Sequence, residues 1–493
     1  MNVHVNHVKA GRAARVSQVV ACLLSLFEEG RFDAGMLNNL NVFLDWVQYR
    51  TNFRDVVTLR RRFRENELLP PVELGVDLRQ VDESTLREAL TEALEEAALE
   101  HRNPVRAPEG PNGNGRPGWV KLEPFGAARK SIIWEFNRLF WQNLPLWEKA
   151  TGKGYEKALP TGVSDGHNPE AIADSVSEFR DSLRDLEAQS QLPEELFVLE
   201  IGVGTAERAV RWLDKFREMD RDQATHYYPK IRFLLADYSM PTLNRAMERL
   251  KSHRELTSFL AVDAMDPFKS LSFLRYKVLY IHLTNVYDNL PTDELALRDN
   301  RLYAVEVCAS LRSTDVDRIC RDANIPSETL GRCVKRLIEI GPEHFSEDGQ
   351  GVHFWQSVWD SIRLEERLVA VDNLADAPMP PGMRPAHIEN LIADAPGDLR
   401  FQLSSGAAES FLNTIPLLHP RGYLQVQDIF VERLSDYLHG FRGPGKMDGS
   451  IVNWVNGALL AEVGEQAGYD VHFVPFRYRE GSQTSVLYTT QRE

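Results

Sequence analysis

At 493 residues the chain is long enough for two or three domains, and its 43% hydrophobic and 26% charged content is that of a soluble globular protein. A net charge of −15 argues against nucleic acid as the main partner, because phosphate binding needs a basic surface. No apolar run nears the roughly 18 residues needed to cross a membrane.

Residues 13–100 read as a helical module. Val16, Val19, Val20, Leu23, Leu24 and Phe27 recur at helical spacing. The same run is too short for a signal-peptide core and reads as a buried helix face. Further amphipathic helices are expected over 37–50 and 83–100. This module (1–106) is expected to pack or to dimerise. A flexible break follows at 107–118, APEGPNGNGRPG. Residues 119–175 carry Trp119, Phe125, Trp134, Phe136, Phe140, Trp141 and Trp147, a stripe that reads as core packed on the next domain. Within that span, the loop around Asp165 is a candidate flap over a ligand.

The run FVLEIGVGT over 197–205 is a buried strand, a tight glycine turn and the start of a helix. Glu207 stands where the dinucleotide fingerprint would have its third glycine, which counts against a nucleotide-dependent oxidoreductase. About thirty residues on, IRFLLAD ends in Asp237, followed by Tyr238 and Ser239. One carboxylate at such a tip can accept from both hydroxyls of a ribose. A third run over 256–264 ends in Asp263 and Ala264. A fourth, VLYIHLT over 278–284, leads into Asn285, Val286, Tyr287, Asp288, Asn289, Leu290 and Pro291. Polar residues at four strand tips fit the rule for ligand sites in open α/β sheets.

Residues 301–410 interrupt this pattern. The span 301–306 is strand-like. The spans 314–323 and 328–340 have helix-turn-helix spacing, read as two packed helices of a substrate lid. The rest is expected to be helical to Val371, then proline-rich. The pattern resumes with a helix end and turn over 415–422, a fifth strand over 423–428, a helix over 451–467 and a final antiparallel pair over 469–475 and 484–490. The four cysteines, Cys22, Cys308, Cys320 and Cys333, lie far apart and suggest free thiols in a cytoplasmic protein. No residue cluster has metal-ligand spacing.

The 197–205 run resembles motif I of class I S-adenosylmethionine (SAM)-dependent methyltransferases, acidic-x-G-x-G-[TSG]. The segment 285–291 and the insertion after it resemble MidA-like methyltransferases, though Val286 and Tyr287 stand where that motif has its glutamate. The resemblance implies an α/β fold: a Rossmann-like seven-stranded sheet (176–300 and 411–493) with a helical N-terminal region and a large helical insertion (301–410) between strands 4 and 5. It implies SAM as cofactor and S-adenosylhomocysteine (SAH) as product. Gly202, Gly204 and Thr205 would cradle the cofactor, with Glu200 near its ammonium. Asp237, with Tyr238 and Ser239, would hold the ribose. Asp263 and Ala264 would meet the adenine, and Leu283 and Thr284 would line the methionine end. Tyr287, Asp288 and His282 are the candidate catalytic groups, with Asp428 a further one. His282 reads equally well as a core histidine. The expected acceptor is a small molecule or a protein, with no nucleic acid, no membrane and a homodimer through the N-terminal helices. A catalytically inactive binding or assembly protein on the same fold is the alternative.

Overall fold

The computed structural model describes residues 1–5, 13–49, 52–64, 67–68, 72–78, 80–99, 118–152, 154, 164–342, 348–393, 395, 397–438 and 443–492. Most of the break expected at 107–118 lies outside the described residues; only Gly118 is among them, at φ +86°.

The central sheet is built from β1 (Leu196–Ile201), β2 (Ile231–Asp237), β3 (Thr257–Ala261), β4 (Val278–Thr284), β5 (Leu418–Asp428), β6 (Tyr469–Pro475) and β7 (Ser485–Gln491). Their order is 3-2-1-4-5-7-6, and the first five are parallel. Strand β7 runs antiparallel between β5 and β6. Strands buried on both faces read as near-continuous apolar runs.

Side-chain alternation divides β1 between two cores. Leu196 and Val198 face Val176, Phe179, Trp212 and Phe216, on helices α1 (Pro169–Ala188) and α2 (Glu207–Asp222). Leu199 and Ile201 face the opposite layer, where Phe411 and Leu459 belong to α4 (Ser405–Thr414) and α5 (Gly457–Gln466). Helix α3 (Met240–Arg249) follows β2, and Ser239 caps its N-terminus.

The N-terminal and inserted regions depart from the helical reading. Helices Ala13–Glu28 and Glu83–Leu99 are present, but the helix expected over 37–50 is the strand Leu40–Tyr49, paired antiparallel with Asn52–Arg64. Leu40, Val42 and Leu44 are buried in alternation, the period of a half-buried strand. In the insertion, the strand-like span 301–306 opens the strand Arg301–Arg312 as expected, but the stretch expected to be helical up to Val371 ends in the strand Arg363–Ala370 beside it. These strands join the N-terminal ones in a single eleven-stranded sheet, so the insertion is mixed α/β. Its strand carries two buried acids: Glu366 meets Arg400 and Arg60, and Glu365 accepts from Ser310. Buried partners let charged residues sit in this strand, and they hid it from hydropathy.

Helices Ser313–Asp322 and Leu330–Ile340 pack into one core with Trp355, Trp359, Phe136 and Phe140. Residues 451–456, expected as helix, fall instead in and between the short strands Ser450–Val452 and Val455–Asn456. Asn456 then caps α5, its side chain accepting from Leu459 N–H.

Candidate functional site

The carboxyl ends of β1 to β4 lie side by side. Ile201 is in register with Ala236 and with Leu283, and Asp237 with Ala261. This brings the sequence-predicted residues at the glycine turn, at Asp237 to Ser239, at Asp263 and Ala264 and at Leu283 and Thr284 to one edge of the sheet.

The glycine turn is the tightest point. Gly202 sits at φ +78° and Gly204 at φ +49°, a region that favours glycine. A Cβ on Gly202 would stand 2.5 Å from Val286 Cγ2, so the turn approaches the segment after β4 too closely for any side chain. Thr205 Oγ1 is buried with no hydrogen-bond partner among the described residues. An orphaned hydroxyl at this turn is a group that a ligand could satisfy.

Asp237 is half-buried at the neighbouring tip. Burial pushes its carboxyl up to about 6, against the N–H groups of Ser239, Gly204, Tyr238 and Val203, which favour the charged form. Ser239 N–H donates to the carboxylate at 2.9 Å.

A roof not foreseen from the sequence closes over this tip: the helix Ile132–Gln142. Tyr238 Oη donates to the Arg138 carbonyl at 3.4 Å, and Ser239 Oγ to that of Gln142 at 3.5 Å. The same helix is pinned to the segment after β4. Asn137 Nδ2 donates to the Asn289 carbonyl at 2.7 Å, and Trp141 Nε1 to Asn289 Oδ1 at 3.0 Å. The signal was present in the polar residues between the aromatics, which the core reading of that stripe passed over.

Glu200 and His282 are enclosed beneath the strand tips. Glu200 is 4% exposed, and its Oε2 is bound by Arg208 at 2.9 Å, beneath the turn. Arg208 also donates to Tyr280 Oη at 2.6 Å. His282 has both ring nitrogens engaged, Nδ1 with Tyr280 Oη at 3.1 Å and Nε2 with Thr284 Oγ1 at 2.6 Å. Burial drives its pKa well below the usual histidine range, so it is neutral. Alternation along β1 and β4 places both on the α1–α2 face, so Glu200 stands beneath the turn and His282 takes the core position that its sequence reading held equally open. Asp263 is exposed and caps its own turn, accepting from Met265 N–H at 2.9 Å, while Ala264 is buried. Leu283 is fully buried in the opposite core.

After β4, Tyr287 and Asp288 are buried. The Tyr287 hydroxyl has no hydrogen-bond partner within bonding geometry among the described residues, although Ser410 lies close to it, and burial pushes it up. Burial first, then the neighbouring Asp428, pushes the Asp288 carboxyl well up. Asp428, at the end of β5, is itself pushed up to about 7 by burial.

The loop around Asp165 packs on the same edge. Asp165 accepts from Arg479 Nη2 and Ser482 Oγ, each at 2.7 Å. A Cβ on Gly166 would lie 2.9 Å from Thr284 Cγ2. The part of the candidate flap over 159–163 lies outside the described residues. No group of three or more His, Cys, Asp or Glu among the described residues could hold a metal ion, and no helix among them is long and apolar enough to cross a membrane.

No protein-family model matches the chain, and no curated protein matches its sequence. The solved structures to which it is similar include SAM-dependent methyltransferases. A Burkholderia thailandensis protein bound to S-adenosyl-homocysteine is 12% identical, with a TM-score of 0.41, over 82% of this chain and 92% of that one. A SAM-dependent methyltransferase from Aquifex aeolicus is 11% identical, with a TM-score of 0.26, over 65% of this chain and 97% of that one. The [4+2]-cyclase SpnF is 11% identical, with a TM-score of 0.33, over 75% of this chain and 98% of that one.

Proposed function

We propose that the chain is a SAM-dependent methyltransferase whose acceptor is a small molecule or a protein side chain. The observation that carries this reading is the pairing of Gly202 with Asp237. The glycine turn leaves no room for a side chain beside Val286, and the acid at the next strand tip stands near the N–H groups of Val203 and Gly204 in that turn. A bound sulfonium supplies an electrophilic methyl group, transferred by in-line displacement. Gly202, Gly204 and Thr205 would hold the cofactor's methionine side, with Leu283 and Thr284 across from them. Asp237, flanked by Tyr238 and Ser239, would accept from the ribose hydroxyls, and Asp263 and Ala264 would border the base. Glu200 acts from beneath, fixing the turn through Arg208.

Such chemistry needs positioning and exclusion of water more than acid catalysis. The roof helix Ile132–Gln142 serves both. Where the acceptor must lose a proton, Asp288 is the group to take it, with Asp428 anchoring its loop through the N–H groups of Tyr287 and Asp288. Tyr287, a neutral buried phenol, would orient the acceptor. The test is calorimetric binding of SAM and SAH to wild type, Gly202→Arg and Asp237→Ala. Micromolar binding lost in both variants is expected, and no binding to the wild type would overturn the assignment. A second reading, a binding protein on this scaffold, is favoured by the enclosure of Glu200 and His282 in a buried network. Binding without turnover across an acceptor screen would select it.

A further inference from the structure

A groove of about 410 Å³ opens along α1 and the β5–β7–β6 part of the sheet, separate from the glycine turn. Its lining includes Glu178, Tyr423, His472, Arg477, Tyr478 and Tyr488 and contains no lysine. Tyr423 is 7% exposed, and its hydroxyl has no hydrogen-bond partner among the described residues. A buried hydroxyl without a partner is rare, so the polar end of Tyr423 is left unmatched at the groove wall. Tyr488 stacks on His472, with ring centroids 5.3 Å apart and planes within 6°.

Glu178 supplies the charge. Its carboxylate accepts from Gln425 Nε2 at 2.9 Å and from Tyr488 Oη at 3.5 Å, and it has no cationic partner among the described residues. Arg477 does not fill that role, because it is held by Asp174 at 3.1 Å and by Tyr478 Oη at 3.4 Å. Tyr478 already faces Arg477, 5.2 Å from its ring centre, so the uncompensated carboxylate attracts a cation through its charge and through the rings of Tyr423 and Tyr488 beside it.

We propose that this groove is a binding site for a small organic cation, with an ammonium head set between Glu178 and the rings of Tyr423 and Tyr488. The site also lies at the end of a polar chain: Glu178 to Gln425, Gln425 to Tyr280 at 2.7 Å, Tyr280 to Arg208 and Arg208 to Glu200 beneath the glycine turn. Occupancy of the groove is independent of the cofactor reading and is measured without cofactor.

The experiment is calorimetry on the full chain with choline chloride, beside its uncharged isostere 3,3-dimethylbutan-1-ol, at physiological salt. Choline is expected to bind in the millimolar range, and the uncharged isostere at least about tenfold more weakly. Glu178→Gln is expected to weaken choline about tenfold, and Tyr488→Leu about threefold or more, with the fold checked by circular dichroism. Equal affinity for the two probes, no heat from choline, or unchanged choline affinity in folded Glu178→Gln would each overturn the proposal. The comparison of the two probes needs only the wild-type protein and stands even if a variant fails to fold.

Discussion

Asp428 anchors the loop that carries Asp288. Its Oδ2 accepts the N–H groups of Tyr287 at 2.9 Å and Asp288 at 3.3 Å, and its Oδ1 that of Ile429 at 2.8 Å. The Asp288 carboxyl stands beside it, so the two buried acids oppose each other's ionisation. Both folded pKa values lie above the roughly 3.9 of an unfolded aspartate. The native state therefore keeps protons that the unfolded chain releases. The stabilisation is complete below about pH 4 and is lost as pH rises through the raised values, Asp428's being about 7. Urea midpoints measured at pH 5.5 and 8.5 should fall with rising pH in the wild type and fall less in Asp288→Asn. Identical slopes in the two proteins would remove the coupling.

Asp428→Ala should be far more harmful than Asp288→Asn. It strands the N–H groups of Tyr287, Asp288 and Ile429, at roughly 1–3 kcal/mol for each unpaired buried group. Thermal melting of both variants at one pH checks the order, and a milder effect for Asp428→Ala would show that the loop is held by other contacts.

The pH profile of cofactor binding tests Asp237. Its pKa of about 6 means that the carboxylate is largely ionised at neutral pH and neutral at pH 5. Hydroxyl donors prefer the ionised form, so SAH affinity should rise from pH 5 and level off above about 6, approaching tenfold per unit well below that value. Asp237→Asn should bind weakly at every pH. A wild-type profile that is flat between pH 5 and 7.5 would take Asp237 out of the ribose role.

The strand tips were legible in sequence because parallel strands buried on both faces leave long apolar runs that end where the chain turns polar. Gly202, Asp237 and Asp263 follow from that alone. The strand Leu40–Tyr49 was not legible, because its apolar residues are dense enough to satisfy helical and alternating spacing together. Arg363–Ala370 was hidden by Glu365 and Glu366, whose charges are met by Ser310, Arg400 and Arg60 from elsewhere in the chain. Long-range partners of this kind leave no local pattern. The commitment of Glu200 to Arg208 could have been read, since the acid's position on β1 and the arginine's on α2 give both the same face.

Gly202→Ala separates backbone strain from crowding. At φ +78° an L-residue is strained by about 1–3 kcal/mol, and its Cβ would meet Val286 Cγ2 at 2.5 Å. The variant should be destabilised and should lose SAH binding. Adding Val286→Ala should restore part of the stability by removing the clash, but not the part owed to φ. Full restoration by the second change would mean that the turn can relax its backbone and that glycine is needed there for space alone.

Asp165→Ala tests whether the loop before α1 belongs to the cofactor site. The carboxylate holds Arg479, Ser482 and Thr484 together, the last at 3.2 Å, and Thr484 Oγ1 accepts from Gln427 Nε2, also at 3.2 Å. Gln427 is in register with Thr284 at the tip of β4, and Gly166 packs on Thr284 directly. Removing the carboxylate therefore loosens the 164–167 segment from the tips of β4, β5 and β7 at once. Arg479 is partly exposed, so the ion pair itself contributes little to global stability. SAH affinity should fall by about three- to tenfold through lost positioning, while the melting temperature drops by only a few degrees. Unchanged SAH affinity would place the loop outside the cofactor site and leave Asp165 as a clamp on the 479–484 turn.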